Sequence, residues 1–274
     1  GWEIVRKARG LRVAVIGSGR MGTKLILEEL VPCEVAADGG LITMDGDILH
    51  EPNFDSVVLP PEAVGMPKAF AVACMAKKLN PDARVLPIFA TISNRAAIEA
   101  AIASDVIISC LDRDAGRVAA AILAALYDRV HLDLAGGTAY TESHDQAVVG
   151  EVRLALPGSP PCVGGMGLQQ SWDDAIEELN QSAEAEQQRR RANDPHAERP
   201  GTCAAVHHSV IGHGMMLFWR LLQGKVKASV WDHLDMNGPR PGWHDWTMLA
   251  SARTCRACSE NGLRGLGDLR LKNG

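Results

Sequence analysis

Gly17, Gly19 and Gly22 stand at G-x-G-x-x-G spacing between the β-branched run LRVAVI and a helical pattern. That arrangement suits phosphate chemistry. The first glycine allows a tight turn, the second lets backbone amides approach an anion, and the third lets the helix pack close to the sheet. The helix N-terminus then favours a bound phosphate. By itself the loop fits NAD, FAD and ATP alike, and GSGRMG would suit an imine or amino-acid dehydrogenase. Asp45, at the end of the second β-rich run, can hold a ribose hydroxyl in either case.

The residues that separate these readings lie downstream. Asp47, Asn53 and Lys68 follow Asp45, and Asp112 ends a later run within SCLDRDAGR. Hydride transfer has no use for a lysine and a second aspartate converging on the phosphate end of a nucleotide. A triphosphate does, because its roughly four negative charges must be neutralised and a carboxylate anchors its Mg²⁺. Each residue also has a plain structural reading: Lys68 a solvated helix-start lysine, Asn53 a turn residue, Asp112 the N-cap of the next helix.

These residues need a scaffold that brings strand ends together. From Leu11 to about Leu156, the runs LRVAVI, LITMD, ARVLPIFA, DVIISC and RVHLDLA alternate with helical patterns. The alternation predicts an α/β fold, a mostly parallel sheet with helices on both faces. Ala69, Val72, Ala73 and Ala76 form an i, i+3, i+4, i+7 stripe that buries one helix face, and Asn80-Pro81 stops that helix. GEVRLALP, residues 150–157, reads as a further strand, with PGSPPC turning the chain after it. Beyond Cys162 the stretch from Ser171 to Gly201 is polar and charged, and reads as a solvated helix or a partly ordered loop. SVIGHGMMLFWRLLQG follows as a buried helix, and the remainder ends in glycine-rich turns around CRAC.

The chain has 274 residues, 46% hydrophobic content and a net charge of −5. This is ample for a core, and it gives no global electrostatic case for nucleic acid or an anionic membrane. With no 18-residue apolar run and no signal-like N-terminus, the expectation is a cytoplasmic protein. Of seven cysteines, Cys33, Cys74 and Cys110 sit in apolar contexts and read as core thiols. Cys162, Cys203, Cys255 and Cys258 sit beside turn or loop residues, where metal binding or thiol chemistry is plausible.

Taken in order, these motifs resemble the E1-like activating enzymes, the family of ThiF, MoeB, HesA and the ubiquitin-activating adenylation domains. DGDILHEPN stands in the place of D-x-D-x-V-x-x-S-N, and Lys68 leads its helix. SCLDRDAGR stands for D-C-x-D-N-x-x-x-R, GEVRLALPGSPPC for G-x-V-x-x-x-x-P-G-x-x-P-C, and CRAC closes the series. The resemblance implies a Rossmann-like E1/ThiF-type adenylation fold. Residues 1–165 would form the nucleotide-binding part, and 166–274 the crossover loop, packing helix and C-terminal CxxC tail of the same domain.

The implied reaction joins ATP to the C-terminal carboxylate of a ubiquitin-like or sulfur-carrier protein, or of a precursor peptide, releasing pyrophosphate. Asp45 would bind the ribose, Asn53 and Lys68 the phosphates, and Asp112 the Mg²⁺; Arg117 would sit in a supporting ion pair. Cys203 matches a cysteine that in some members accepts the acyl group. Cys162, Cys255 and Cys258 match three ligands of a structural Zn²⁺, with Gly165 in place of the fourth. The family's phosphate-binding Arg is absent, since Asp55-Ser56 occupies its N-R position, and Arg6 or Arg9 of a partner subunit in a homodimer can substitute. Two alternatives stay open: an NAD(P)-dependent oxidoreductase, and a nucleotide-binding pseudoenzyme serving as a binding module.

Overall fold

The computed structural model describes residues 1–51, 58–140, 146–168, 172–180, 204–237, 239–250, 255–259 and 261–267. Asn53, Asp55, Ser56, Cys203 and the charged stretch from 181 to 203 lie outside the described residues.

The strands are β1 (Val13–Ile16), β2 (Leu41–Met44), β3 (Val85–Ile88), β4 (Val106–Ser109), β5 (Val130–Tyr140), β6 (Gln146–Ala155), β7 (Val230–Asp235) and β8 (Gly242–Asp245). They form one sheet in the order β3-β2-β1-β4-β5-β6-β7-β8. The first five are mutually parallel; β5 to β8 pair antiparallel. β1, β2 and β4 are buried along their whole length, as expected for parallel strands covered on both faces.

The helices are α1 (Trp2–Gly10), α2 (Arg20–Lys24), α3 (Lys68–Leu79), α4 (Arg95–Ile102), α5 (Asp114–Leu126), α6 (Trp172–Asn180) and α7 (Ala204–Leu222). α2 widens without a break into a π-helical stretch, Leu25–Leu30. Alternation along the strands sorts the helices into two layers. Val13, Val15, Leu132, Leu134, Val152 and Leu154 pack toward the π-helical stretch, α3 and α7. Ala14, Ile16, Ile42, Met44 and Ile107 pack toward α4 and α5. The expected stripe of Ala69, Val72, Ala73 and Ala76 is buried on α3, which ends at Asn80.

Four expectations need correction. Cys33 and Cys74 are exposed rather than in the core. Cys74 lies on the face of α3 opposite the buried stripe, and Cys33 follows the π-helical stretch in a turn; apolar neighbours in sequence did not mean burial. Asp112 is not an N-cap: Arg113 caps α5, in extended backbone and with no side-chain hydrogen bond. The strand read at 150–157 begins earlier, at Gln146. β7 and β8 fall in the remainder expected to form turns: polar residues occupy both faces of these strands, and the partner of β7, β6, is distant in sequence. Asp232 pairs with His213 of α7 at 2.6 Å, and His233 reaches Glu151 of β6 at 3.3 Å.

Candidate functional site

β1 sits between β2 and β4, so the strand order reverses there. The crevice outside the carboxyl ends of β1 and β4 is the topological switch point, where open α/β sheets bind ligands. The loops after β1, β2 and β4 converge on it. Gly17 has φ +94°, and a Cβ on it would lie 2.6 Å from the carbonyl oxygen of Cys110. A Cβ on Gly22 would fall on the carbonyl oxygen of Gly17, so the helix closes against the loop only with glycine there. Gly19 differs. It caps α2, and nothing lies within 4 Å of where its Cβ would be.

Asp45 follows β2 and joins two loops. Its Oδ2 accepts from the Ser18 amide at 2.7 Å and its Oδ1 from the Asp47 amide at 2.8 Å. Burial pushes its carboxyl above the usual range, against the pull of the Lys68 ammonium. Each carboxylate oxygen keeps a lone pair for a ribose hydroxyl. Ser18 and Thr43, fully buried, share a hydroxyl hydrogen bond of 2.7 Å, and the Thr23 hydroxyl donates to the Ser18 carbonyl at 2.9 Å. Single hydroxyls within apolar runs gave no sequence signal for this brace.

Lys68 opens α3. Its amide donates to the Asp47 carbonyl at 2.9 Å and its Nζ lies 2.8 Å from Asp47 Oδ2. The ammonium has three donors, so one bond to Asp47 orients it and leaves donors for a phosphate. Asp112 is exposed just beyond β4 and has no hydrogen bond or ion pair among the described residues. Its neighbours are held firmly: the Leu111 carbonyl accepts from Arg117 Nε at 3.0 Å and Nη2 at 2.5 Å, and Arg113 pairs with Glu178 at 2.9 Å. Arg117 also forms ion pairs with Asp114 at 3.4 Å and Asp133 at 3.7 Å.

Arg9 is held by its own chain, with both Asp38 oxygens at 3.0 Å and Glu34 at 2.5 Å, whereas Arg6 is exposed. Arg20, half-buried, opens α2 beside the glycine loop. His207 of α7, 3% exposed, has its pKa lowered by burial and by the charge of Arg20, with a backbone hydrogen bond to Gly136 opposing.

A buried charge network under the β4–β5 ends escaped the sequence reading. Asp133 accepts from Ser109 Oγ at 2.6 Å and Arg153 Nη1 at 2.8 Å, with Arg117 Nε 3.7 Å away. Burial alone would raise the Asp133 carboxyl, but Arg117 and Arg153 hold it below the usual range. Arg153 also donates to the Met166 carbonyl at 2.7 Å and pairs with Glu151. His131 bonds to Ser109 at 2.8 Å, and burial brings its pKa down to about 4. The only hint in the sequence was polar residues at alternate positions of two apolar runs.

Cys162, Cys255 and Cys258 come together at the far end of α5, their sulfurs within 4.8 Å of one another. The Cys162 amide donates to Cys258 Sγ at 3.2 Å. Hydrogen bonds from Cys162 and Cys258 hold the Cys255 thiol far below its usual range, while Cys162 is pushed up. Three cysteine sulfurs with a backbone N–H to one of them are a donor set suited to zinc once deprotonated, lacking one ligand of a tetrahedron. A cavity of about 20 Å³, enough for one water, adjoins Cys162 and Cys258; it is lined also by His131 and Arg129, whose Nδ1 and Nε are unpartnered among the described residues.

Residues 2–193 match the ThiF family, and the chain belongs to that family. It is 33% identical over 102 residues to the SAMP-activating enzyme E1 of Haloferax volcanii, a match covering 37% of this chain and 36% of that protein. Among solved structures, E. coli MccB with ATP has a TM-score of 0.66 at 14% identity, covering 93% of this chain and 69% of that one. MccB with MccA-N7isoASN gives 0.68 at 14%, covering 94% and 69%. PaaA gives 0.60 at 18%, covering 89% and 66%. The mostly parallel eight-stranded sheet is thus the adenylation-type fold expected from the resemblance. Among the described residues, no helix is long and apolar enough to cross a membrane.

Proposed function

We propose that this chain adenylates a C-terminal carboxylate with ATP and releases pyrophosphate. The observation that carries the reading is the convergence, at the switch point of a ThiF-family chain, of half-buried Asp45, Asp47-oriented Lys68 and exposed Asp112. Asp45 holds the ribose. Gly17, Gly19 and Gly22 let the phosphates settle against the head of the eleven-residue helical stretch Arg20–Leu30. Lys68 neutralises and Asn53 aligns them, and Arg20 stands near enough in sequence to replace the absent Arg. Asp112 would hold Mg²⁺, whose charge would supply screening of the phosphates there. A C-terminal carboxyl has a pKa of about 3.5, so the nucleophile is already ionised and needs no base. Alignment and charge neutralisation carry the rate.

Residues 1–165 supply the nucleotide half and 166–274 the crossover, packing helix and tail that meet the substrate. The carboxylate donor is a ubiquitin-like or sulfur-carrier protein, or a precursor peptide, in line with the SAMP-activating relative and the MccB complexes with MccA peptides. Cys203 is the candidate acceptor where transfer follows. A cytoplasmic homodimer, with Zn²⁺ on Cys162, Cys255 and Cys258, completes the reading. The test is ATP-pyrophosphate exchange driven by small proteins ending in Gly-Gly and by peptides with free C-termini, against the same tails amidated. Exchange with free but not amidated tails is expected. Nicotinamide binding without ATP binding would favour the oxidoreductase, and ATP binding without exchange on any tail would favour the pseudoenzyme.

A further inference from the structure

The loop that carries Asp112 is gripped by Arg117 of α5, which is backed in turn by buried charges of β5 and β6. Leu111 receives two guanidinium N–H groups of Arg117 on its carbonyl, at 3.0 and 2.5 Å. Its side chain fills the space between Gly17 and Gly116, where a Cβ would come within 3.2 and 2.8 Å of its methyl carbons. Arg117 is itself flanked by Asp114 at 3.4 Å and by fully buried Asp133 at 3.7 Å. Asp133 is bonded to Arg153 of β6, 2% exposed; Arg153 pairs with Glu151 on the same strand and ties in the turn before α6 through the Met166 carbonyl. Glu151 then reaches His233, which stacks on Trp246 at 3.7 Å.

We infer that Asp133 and Arg153 are positioning residues: through Arg117 and the Leu111 carbonyl they fix where the Asp112 carboxylate stands, and so couple the antiparallel half of the sheet to cation binding in the crevice. The inference rests on the reading of Asp112 as the Mg²⁺ residue. Burying this many charges costs stability that apolar side chains of similar volume would not, so a packing role alone does not account for them. A lone exposed carboxylate on a loop loses rotational freedom when it takes a cation, and clamping the loop beforehand lowers that cost. Arg117 suits the task because its planar fork delivers two parallel N–H groups to one carbonyl; lysine can deliver only one.

The test compares the dissociation constant of ATP in EDTA with that in excess Mg²⁺, using the full chain. In the wild type Mg²⁺ tightens ATP binding, and Asp112→Asn abolishes that gain. Arg117→Lys and Asp133→Asn are expected to reduce the gain at least threefold while leaving binding in EDTA within a factor of two. Combined with Asp112→Asn they should add nothing further, because residues acting through Asp112 are non-additive with its loss. Should Asp133→Asn fail to fold, the volume-matched pair Asp133→Leu with Arg153→Met removes the buried charges together and is expected to fold and to show the same reduced gain. Hydrogen exchange at residues 110–113 should quicken in each variant, with the glycine loop unchanged. If Asp112→Asn abolishes the Mg²⁺ gain but the other variants keep it, the positioning inference falls and the Asp112 assignment survives. If Asp112→Asn keeps the gain, the assignment itself falls, and with it the inference.

Discussion

The crevice at β1 and β4 and the network between β5 and β6 handle charge in opposite ways. In the crevice, Asp112 is left exposed and Gly19 open, and Lys68 makes one bond to Asp47 that leaves its other donors for a ligand. Under the β5–β6 ends, Asp133 and Arg153 are sealed from water and paired. A site that must admit a highly charged ligand leaves room for the ligand's own charges. A site that must hold a loop in one place satisfies every charge internally, since a buried unpaired group is costly.

The contrast can be broken at several points. The largest effect is expected at Gly22→Ala, which sets a methyl group on the Gly17 carbonyl and should cost about 3 kcal/mol in denaturant unfolding. Gly19→Ala meets no neighbour and should stay within about 0.5 kcal/mol of wild type. It should nevertheless weaken ATP binding on the order of tenfold. If both variants cost stability alike, the division between steric and ligand-facing glycines is wrong. Next, Asp112→Ala should lower pyrophosphate exchange by roughly 10²-fold or more with unfolding unchanged, because the residue is exposed and has no ion pair among the described residues.

With the proposed Zn²⁺ on the cysteine cluster, a chelator or Cys255→Ser should lower Tm by about 5 °C, a cost of about 2 kcal/mol, through loss of the link between the Cys162 turn and the C-terminal segment. A Tm and metal content insensitive to chelator would remove the metal from this cluster. The smallest effect is pH-dependent. His131 has a folded pKa of about 4, below its ordinary 6.5, so below pH 6.5 the unfolded chain binds the proton more readily and stability falls as pH falls toward 4. Between pH 6.5 and 5 the loss should be about 1.5 kcal/mol. Asp45, with its raised pKa, acts in the opposite direction above pH 3.8, so the readout is the difference from His131→Gln, whose profile should be flatter.

How legible each region was follows from the same contrast. The crevice residues sit in short contiguous motifs, GSGRMG, MDGDILH and SCLDRDAGR, because each loop is one strand's exit and its chemistry is local. Asp133, Arg153, Glu151 and His233 carry no such pattern. They meet because β5, β6 and β7 pair in register, Asp133 opposite Arg153 and Glu151 opposite His233. β7 itself was missed for that reason: its polar residues look like a turn until their partners are in view. Cys33 and Cys74 erred the other way, since an apolar neighbourhood in sequence does not say which face of a helix a residue occupies.

By itself, then, the sequence determined the alternation of strands and helices, the glycine spacing, and the residue types available at each strand end. These are set by local sterics, periodicity and the hydrogen-bonding limits of individual residues. The tertiary structure decided that Lys68 reaches the crevice paired to Asp47, and that three cysteines from two distant segments share one site. It also decided that the footing of Asp112 is built from strands beyond β4. Those outcomes depend on which strands lie side by side and in what register, which is fixed only when the whole core packs at once.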